Sequence, residues 1–189
     1  MSKYHDDSTV ASDPGGISLS KSKLTLFRNE LPLIKRIFVN LRYPSDMLNE
    51  HLNLGDSRAA VIMETQERLV VSAYTDELDC VALLEFPLSL VQERGLKIGD
   101  RLLTVNTYST GEIISSDLEN GADSYNRYNN FHPLISDFLS DDRRAIEKRK
   151  LSIDEAEWGK AVDMGRRKLN SKGFKPRNGN PYTSIEVGR

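Results

Sequence analysis

From Ala59 onward the apolar positions come in short bursts separated by turn-forming residues. Ala59–Thr65, Leu69–Tyr74, Cys80–Phe86 and Arg101–Tyr108 each have strand length and are rich in Val, Ile, Leu and Tyr, residues that fit a pleated surface. Gln66-Glu67, the acidic run Thr75–Asp79 and Gly99-Asp100 supply the connections, and Gly111 with Ile113-Ile114 suggests a short fifth strand. Pro87 ends the third strand, and Leu88–Arg94 reads as about two helical turns closed by Gly95.

On either side the pattern is helical or absent. Leu24–Tyr43 is apolar enough to be buried but is interrupted by Pro32, which lacks an amide donor and disfavours helix before it. Residues 33–43 fit helix or strand equally. Pro44-Ser45 opens a helix with Met47, Leu48, His51 and Leu52 on one face and Gly55 as its stop. Ser115–Pro133 reads as a polar loop, and Leu134–Arg149 as a helix with Leu134, Ile135, Phe138 and Leu139 on its apolar side. Ser152–Glu155 has the spacing of a capping box, ahead of a helix carrying Trp158, Val162, Gly165 and Leu169.

The fold class expected is therefore α+β: a small, mainly antiparallel sheet or partly open β-barrel in the middle, flanked by N- and C-terminal helices. Its parts would be a flexible polar arm (1–23), a single α+β domain (24–171) and a basic flexible tail (172–189). Within the domain, about 58–114 would be β-rich and about 134–170 helical.

Composition narrows the setting. The chain has 189 residues, 38% hydrophobic and 29% charged, enough for one domain with a real core. No run approaches the roughly 18 apolar residues that span a bilayer, and the first residues lack the apolar stretch of a secretory signal. The one cysteine, Cys80, cannot form an internal disulfide, which suits a reducing compartment. A soluble, cytoplasmic protein without membrane contact is the expectation. The net charge of −2 conceals an asymmetry, for Arg143–Arg189 holds 13 Lys and Arg against 6 Asp and Glu, and the remainder 13 against 22. An acidic body with a basic end points towards a partner.

The sequence lacks a phosphate-binding Gly-rich loop, a dinucleotide fingerprint, a His-Glu-x-x-His pair, paired cysteines and a Gly-x-Ser-x-Gly elbow. No cofactor or metal and no catalytic residue is assigned. Two features could carry binding. Tyr125, Arg127, Tyr128, Phe131 and His132 interleave flat side chains with Asn amides and one cation, a surface that could stack bases or grip a peptide. The plainer reading folds these aromatics back as lids over the sheet edge. Arg166, Arg167, Lys168, Lys172, Lys175 and Arg177 could neutralise phosphates or dock on an acidic face, or simply complement a helix C-terminus.

Gly95-Leu-Lys-Ile-Gly-Asp-Arg-Leu-Leu-Thr-Val-Asn106 resembles the middle of PDZ domains over about Val81–Asn106. That resemblance implies a peptide-binding module, although the family's Gly-Leu-Gly-Phe-like carboxylate loop has no counterpart before Leu69. The leading expectation is a non-catalytic binding or regulatory protein whose partner is another protein, with nucleic acid as the second choice. The alternatives are a small hydrolase-like enzyme using His51 or His132 with loop carboxylates, and a PDZ-like module.

Overall fold

The computed structural model describes residues 9–36, 45–122 and 128–183. The order of elements is α1 (Lys21–Glu30), α2 (Ser45–Leu54), β1 (Asp56–Glu64), β2 (Leu69–Thr75), β3 (Cys80–Phe86), α3 (Ser89–Arg94) and β4 (Arg101–Ser109), followed by β5 (Glu119–Asn120), β6 (Asn130–Ile135), α4 (Ser136–Leu139), α5 (Arg143–Ser152), α6 (Glu155–Leu169) and β7 (Arg177–Asn178). The fold is α+β, with a curled, mainly antiparallel half-barrel sheet flanked by helices. The strand order is β5-β3-β2-β1-β4-β6, and β7 pairs with β3 in parallel.

Both faces of the sheet are covered, which is why its strands read as near-continuous apolar runs rather than as strict alternation. On one face Ala60, Ile62, Val71, Leu84 and Phe86 join the main core with Leu24 and Phe27 of α1, Leu48 and Leu52 of α2, and Phe138 of α4. On the other, Ala59, Val61, Tyr74 and Val81 pack under Trp158, Ala161 and Met164 of α6. Gly165 lets α6 lie this close, since a Cβ there would stand 2.6 Å from Ser72 Oγ. Ser72 Oγ in turn donates to Ala161 O at 2.7 Å.

The helix ends follow local chemistry. Ser20 Oγ accepts from Lys23 N to open α1, and α1 stops at Leu31, whose extended backbone (ψ 148°) is what the following Pro32 demands. Gly95 closes α3 in the left-handed region at φ 64°. The α6 cap is Asp154, whose carboxylate accepts from Ala156 N, and not Ser152. Ser152 ends α5 and donates to Arg149 O, so the capping-box spacing is not used as such.

Five other expectations are corrected. Ile113 is 81% exposed and no strand forms there; β5 lies at Glu119–Asn120 instead. Residues 130–135, read as loop and helix start, are β6, an edge strand where the missing amide of Pro133 is tolerated. The helix expected over 134–149 is thus split into α4 and α5 at Ser140. The polar arm is not free over its described part: Ile17 is fully buried, Gly15 N and Gly16 N donate to Gly55 O and Asn53 O at 2.9 Å, and Ser57 N donates to Asp13 O at 2.9 Å. Over 172–183 the basic tail is a strap. Gly179 N donates to Glu85 O at 2.7 Å, Asn180 Nδ2 donates to Phe27 O at 2.9 Å, and Tyr182 is buried. Polar groups anchor both segments, so a reading based on apolar content passes over them. The helix-or-strand question for residues 33–43 is answered only over Leu33–Arg36, which are helical; 37–43 lie outside the described residues.

β7 has a further consequence. It occupies the outer edge of β3, and its Arg177 reaches across to the opposite edge of the sheet. There Nη1 donates to Phe131 O at 2.7 Å and Nη2 to Asn130 Oδ1 at 2.8 Å, both on β6. The half-barrel is closed on this side by a guanidinium.

Candidate functional site

Of the residues singled out in the sequence, Tyr125 and Arg127 lie outside the described residues. Tyr128 is buried and stacked on Tyr108, ring centroids 4.6 Å apart at 16°. Phe131 is fully buried, and His132 is buried with Nε2 3.4 Å from Ser109 Oγ. These side chains form the lid arrangement, in which apolar faces are spent on the core.

The cations divide. Arg177 is buried among Phe131 O, Asn130 and Asp117. Burial pushes the Asp117 carboxyl up, but the hydrogen bonds and charge of Arg177 outweigh it and hold the group below the usual carboxylate range. Arg167 Nε pairs with Glu119 at 3.1 Å, and Lys168 Nζ donates to Leu118 O at 3.1 Å, so the end of α6 fastens the 116–119 loop. Arg166, Lys172 and Lys175 are exposed and, among the described residues, have no acidic partner within 4.0 Å.

Both histidines proposed for hydrolysis are buried. His51 is buried with Nε2 3.0 Å from Val105 O. Burial pushes the Cys80 thiol far up, which disfavours the nucleophilic thiolate. Among the described residues no three His, Cys, Asp or Glu side chains are placed to hold a metal ion.

The largest concentration of buried titratable groups lies where β1 begins and β2 ends. Arg58, its side chain 6% exposed, meets Asp76 (Nε, 2.6 Å), Asp56 (Nε, 3.0 Å) and Asp13 (Nη1, 3.0 Å). Tyr108 Oη donates to Asp56 at 3.0 Å and sits 2.7 Å from Thr75 Oγ1. Burial raises Asp56 to about 6 against the opposing pull of Arg58. Glu157 of α6 accepts from Ala59 N at 2.7 Å, and burial raises it to about 7. Arg149 Nη2 reaches Asp13 at 3.0 Å and donates to Ser57 Oγ at 2.7 Å. Perturbed acids of this kind also mark catalytic sites; here Asp56, Thr75 and Tyr108 are fully buried. Their geometry instead ties the N-terminal segment, α5 and α6 to one end of the sheet. The run Asp56-Ser57-Arg58, charged groups directly abutting a buried strand, was the signal for this cluster in the sequence.

One surface feature with room for a partner is a cleft of about 550 Å³ between the end of α1, the β2–β3 sheet end and the strap. Leu31, Phe86, Pro87, Leu88 and Pro176 make its apolar side, Asn178 and Asn180 offer amides, and Lys35 and Arg68 face Glu30, Glu67 and Glu85. Burial, reinforced by the charge of Glu93, raises the Glu30 carboxyl. Arg68 lies over the Phe174 ring at 5.2 Å, which joins the cleft to the exposed Lys172–Lys175 run. Leu33 and Ile34, in the same turn as the lining Pro32 and Lys35, are 74% and 75% exposed, and Leu88 is 41% exposed. No protein family, no curated protein and no solved structure matches this chain.

Proposed function

We propose that the chain is a non-catalytic binding or regulatory protein that docks an acidic segment of a protein partner along the strap cleft. The observation that carries this reading is an apolar-sided cleft with exposed Leu88 in its lining and exposed Leu33 and Ile34 next in the chain to its Pro32 and Lys35, joined through Arg68 and Phe174 to Lys172 and Lys175, cations that have no acidic partner among the described residues. Contiguous exposed apolar side chains rimmed by charge are the usual mark of an interaction surface. An acidic segment would supply the counter-charges that Lys172 and Lys175 lack and an apolar anchor for the Leu31–Phe86 side. A protein partner is favoured over nucleic acid because Tyr128 and Phe131 are spent on the core and cannot stack bases. The hydrolase reading gains no comparable support, since neither His51 nor His132 lines this cleft.

The test is capture from nuclease-treated lysate on the immobilised full chain, with the bound proteins identified by mass spectrometry. An acidic protein should be retained at low salt and released steeply as salt rises towards about 0.5 M, where screening is strong. Lys172→Glu with Lys175→Glu should abolish its capture, and Lys148→Glu on the exposed face of α5 should not. Capture that disappears with nuclease, or that is equal in both variants, refutes the proposal.

A further inference from the structure

A second cleft, of about 590 Å³, opens between the start of α1, the end of α3 and the α4–α5 corner. Its walls are apolar at Leu96, Leu102, Phe138 and Ile146. Most of its charges are already matched. Lys23 Nζ pairs with Asp141 at 3.2 Å and donates to Ser140 O. Asp137 accepts from Lys150 Nζ at 2.6 Å and from Leu103 N at 2.8 Å, and Glu147 accepts from the same lysine at 3.0 Å. What remains is Arg94 and Arg143 against the carboxylate of Glu93 and the charge that Lys150, shared between Asp137 and Glu147, leaves over.

Arg94 is held ready. Its guanidinium lies 5.2 Å over the Phe138 ring, and Nη1 donates to Asp137 O at 2.6 Å. Among the described residues no carboxylate oxygen comes within 4.0 Å of it, which leaves most of its five donors unspent. Burial works against its charge and lowers its pKa despite the nearby Asp137, as expected for a half-buried cation lacking an ion partner. A fixed guanidinium fork matches carboxylate and phosphate geometry, and the apolar walls offer contact for whatever carries that group.

We propose that this cleft binds a small organic anion, its carboxylate or phosphate head held by Arg94 and Arg143 and its body lying against Phe138, Leu96 and Ile146. The cleft's volume of about 590 Å³ suits a compact ligand that carries one anionic group.

Calorimetric titration and thermal unfolding of the full chain with four probes test this: phenyl phosphate, benzoate, inorganic phosphate and neutral benzyl alcohol. Phenyl phosphate and benzoate should bind saturably and raise the melting temperature with concentration, whichever head group the natural ligand carries. Inorganic phosphate should bind about tenfold more weakly for want of a body, a difference of about 1.4 kcal/mol, and benzyl alcohol should not bind. Arg94→Gln should abolish binding of the aromatic anions. Arg143→Gln, at an exposed position that leaves folding intact, should weaken it about tenfold. Absence of saturable binding by both aromatic anions overturns the proposal, and so does binding that is unchanged in Arg143→Gln and Arg94→Gln.

Discussion

Arg177→Met removes the guanidinium that spans the two edges of the sheet while keeping most of the side chain's length and volume. Phe131 O then loses its side-chain donor, and Asn130 Oδ1 loses one of two, keeping Phe131 N at 2.9 Å. A buried acceptor left unpaired costs about 1–3 kcal/mol, and the bond lost at Asn130 about 1 kcal/mol more. Asp117 also loses its ion partner, but its side chain is 30% exposed and regains water, so its share is smaller. The sum, about 3–5 kcal/mol, equals what is typically lost when one member of a buried ion pair is removed. At about 2–4 °C per kcal/mol for a chain of this size, the melting temperature should fall by about 6–20 °C. Urea unfolding followed by far-UV circular dichroism and by the fluorescence of the single, buried Trp158 measures it, since Trp158 lies on the opposite face of the sheet and reports loss of the whole fold. Asp117→Asn, which spares both bonds to β6, should cost only about 1–2 kcal/mol. Because Arg177 holds the Asp117 carboxyl below its ordinary value, this pair stabilises at neutral pH and the gain is lost as pH falls through the folded pKa. Arg177→Met should therefore flatten the acid limb of the stability profile as well. A variant within about 1 kcal/mol of the parent would show that the half-barrel does not depend on this closure. Removal of Lys172–Arg189, which low apolar content alone makes look harmless, takes Arg177, Asn180 and Tyr182 away and should cost at least as much.

Glu157 titrates near 7 in the folded protein against 4.5 ordinarily, so folding takes up a proton between these values; the associated stability is complete below about 4.5 and is lost as pH rises through about 7. Glu157→Gln keeps an oxygen for Ala59 N and should remove most of that decline, raising the urea midpoint at pH 8 relative to the parent; a parent profile flat from pH 5 to 8 refutes the assignment. Gly165→Ala drives a methyl group to 2.6 Å from Ser72 Oγ and should cost about 1–3 kcal/mol by lifting α6, whereas the same change at the open Gly159 of this helix should stabilise slightly; equal effects at the two positions would refute the close approach.

Strands β1–β4 and helix α6 were legible because burial on a face leaves a local trace: apolar runs of strand length between turn residues, and Trp158, Val162 and Gly165 at helical spacing. Strand β6 was not, because Leu134 and Ile135 suit either a helix or a strand and Pro133 reads as a loop until its place on an edge is known. The arm and the strap escaped notice because they are held by amides, carboxylates and one guanidinium, whose worth lies entirely in the distance to a partner. In the sequence Arg177 looks the same as Lys175: one proves to be a buried tie and the other an exposed cation. Tyr128 and Phe131 likewise had two possible orientations, and packing against Tyr108 and the core decided between them. The clefts carrying the proposed binding sites are assembled from α1, α3, α5 and the strap, segments about 150 positions apart at most, and no local pattern records which of their charges find partners. Composition and periodicity determined the class of fold, because hydrophobic burial is additive and local in sequence. Edge closure, charge pairing and the shape of the clefts were decided only in three dimensions, because electrostatic and hydrogen-bond energies depend on separations that the chain order does not contain.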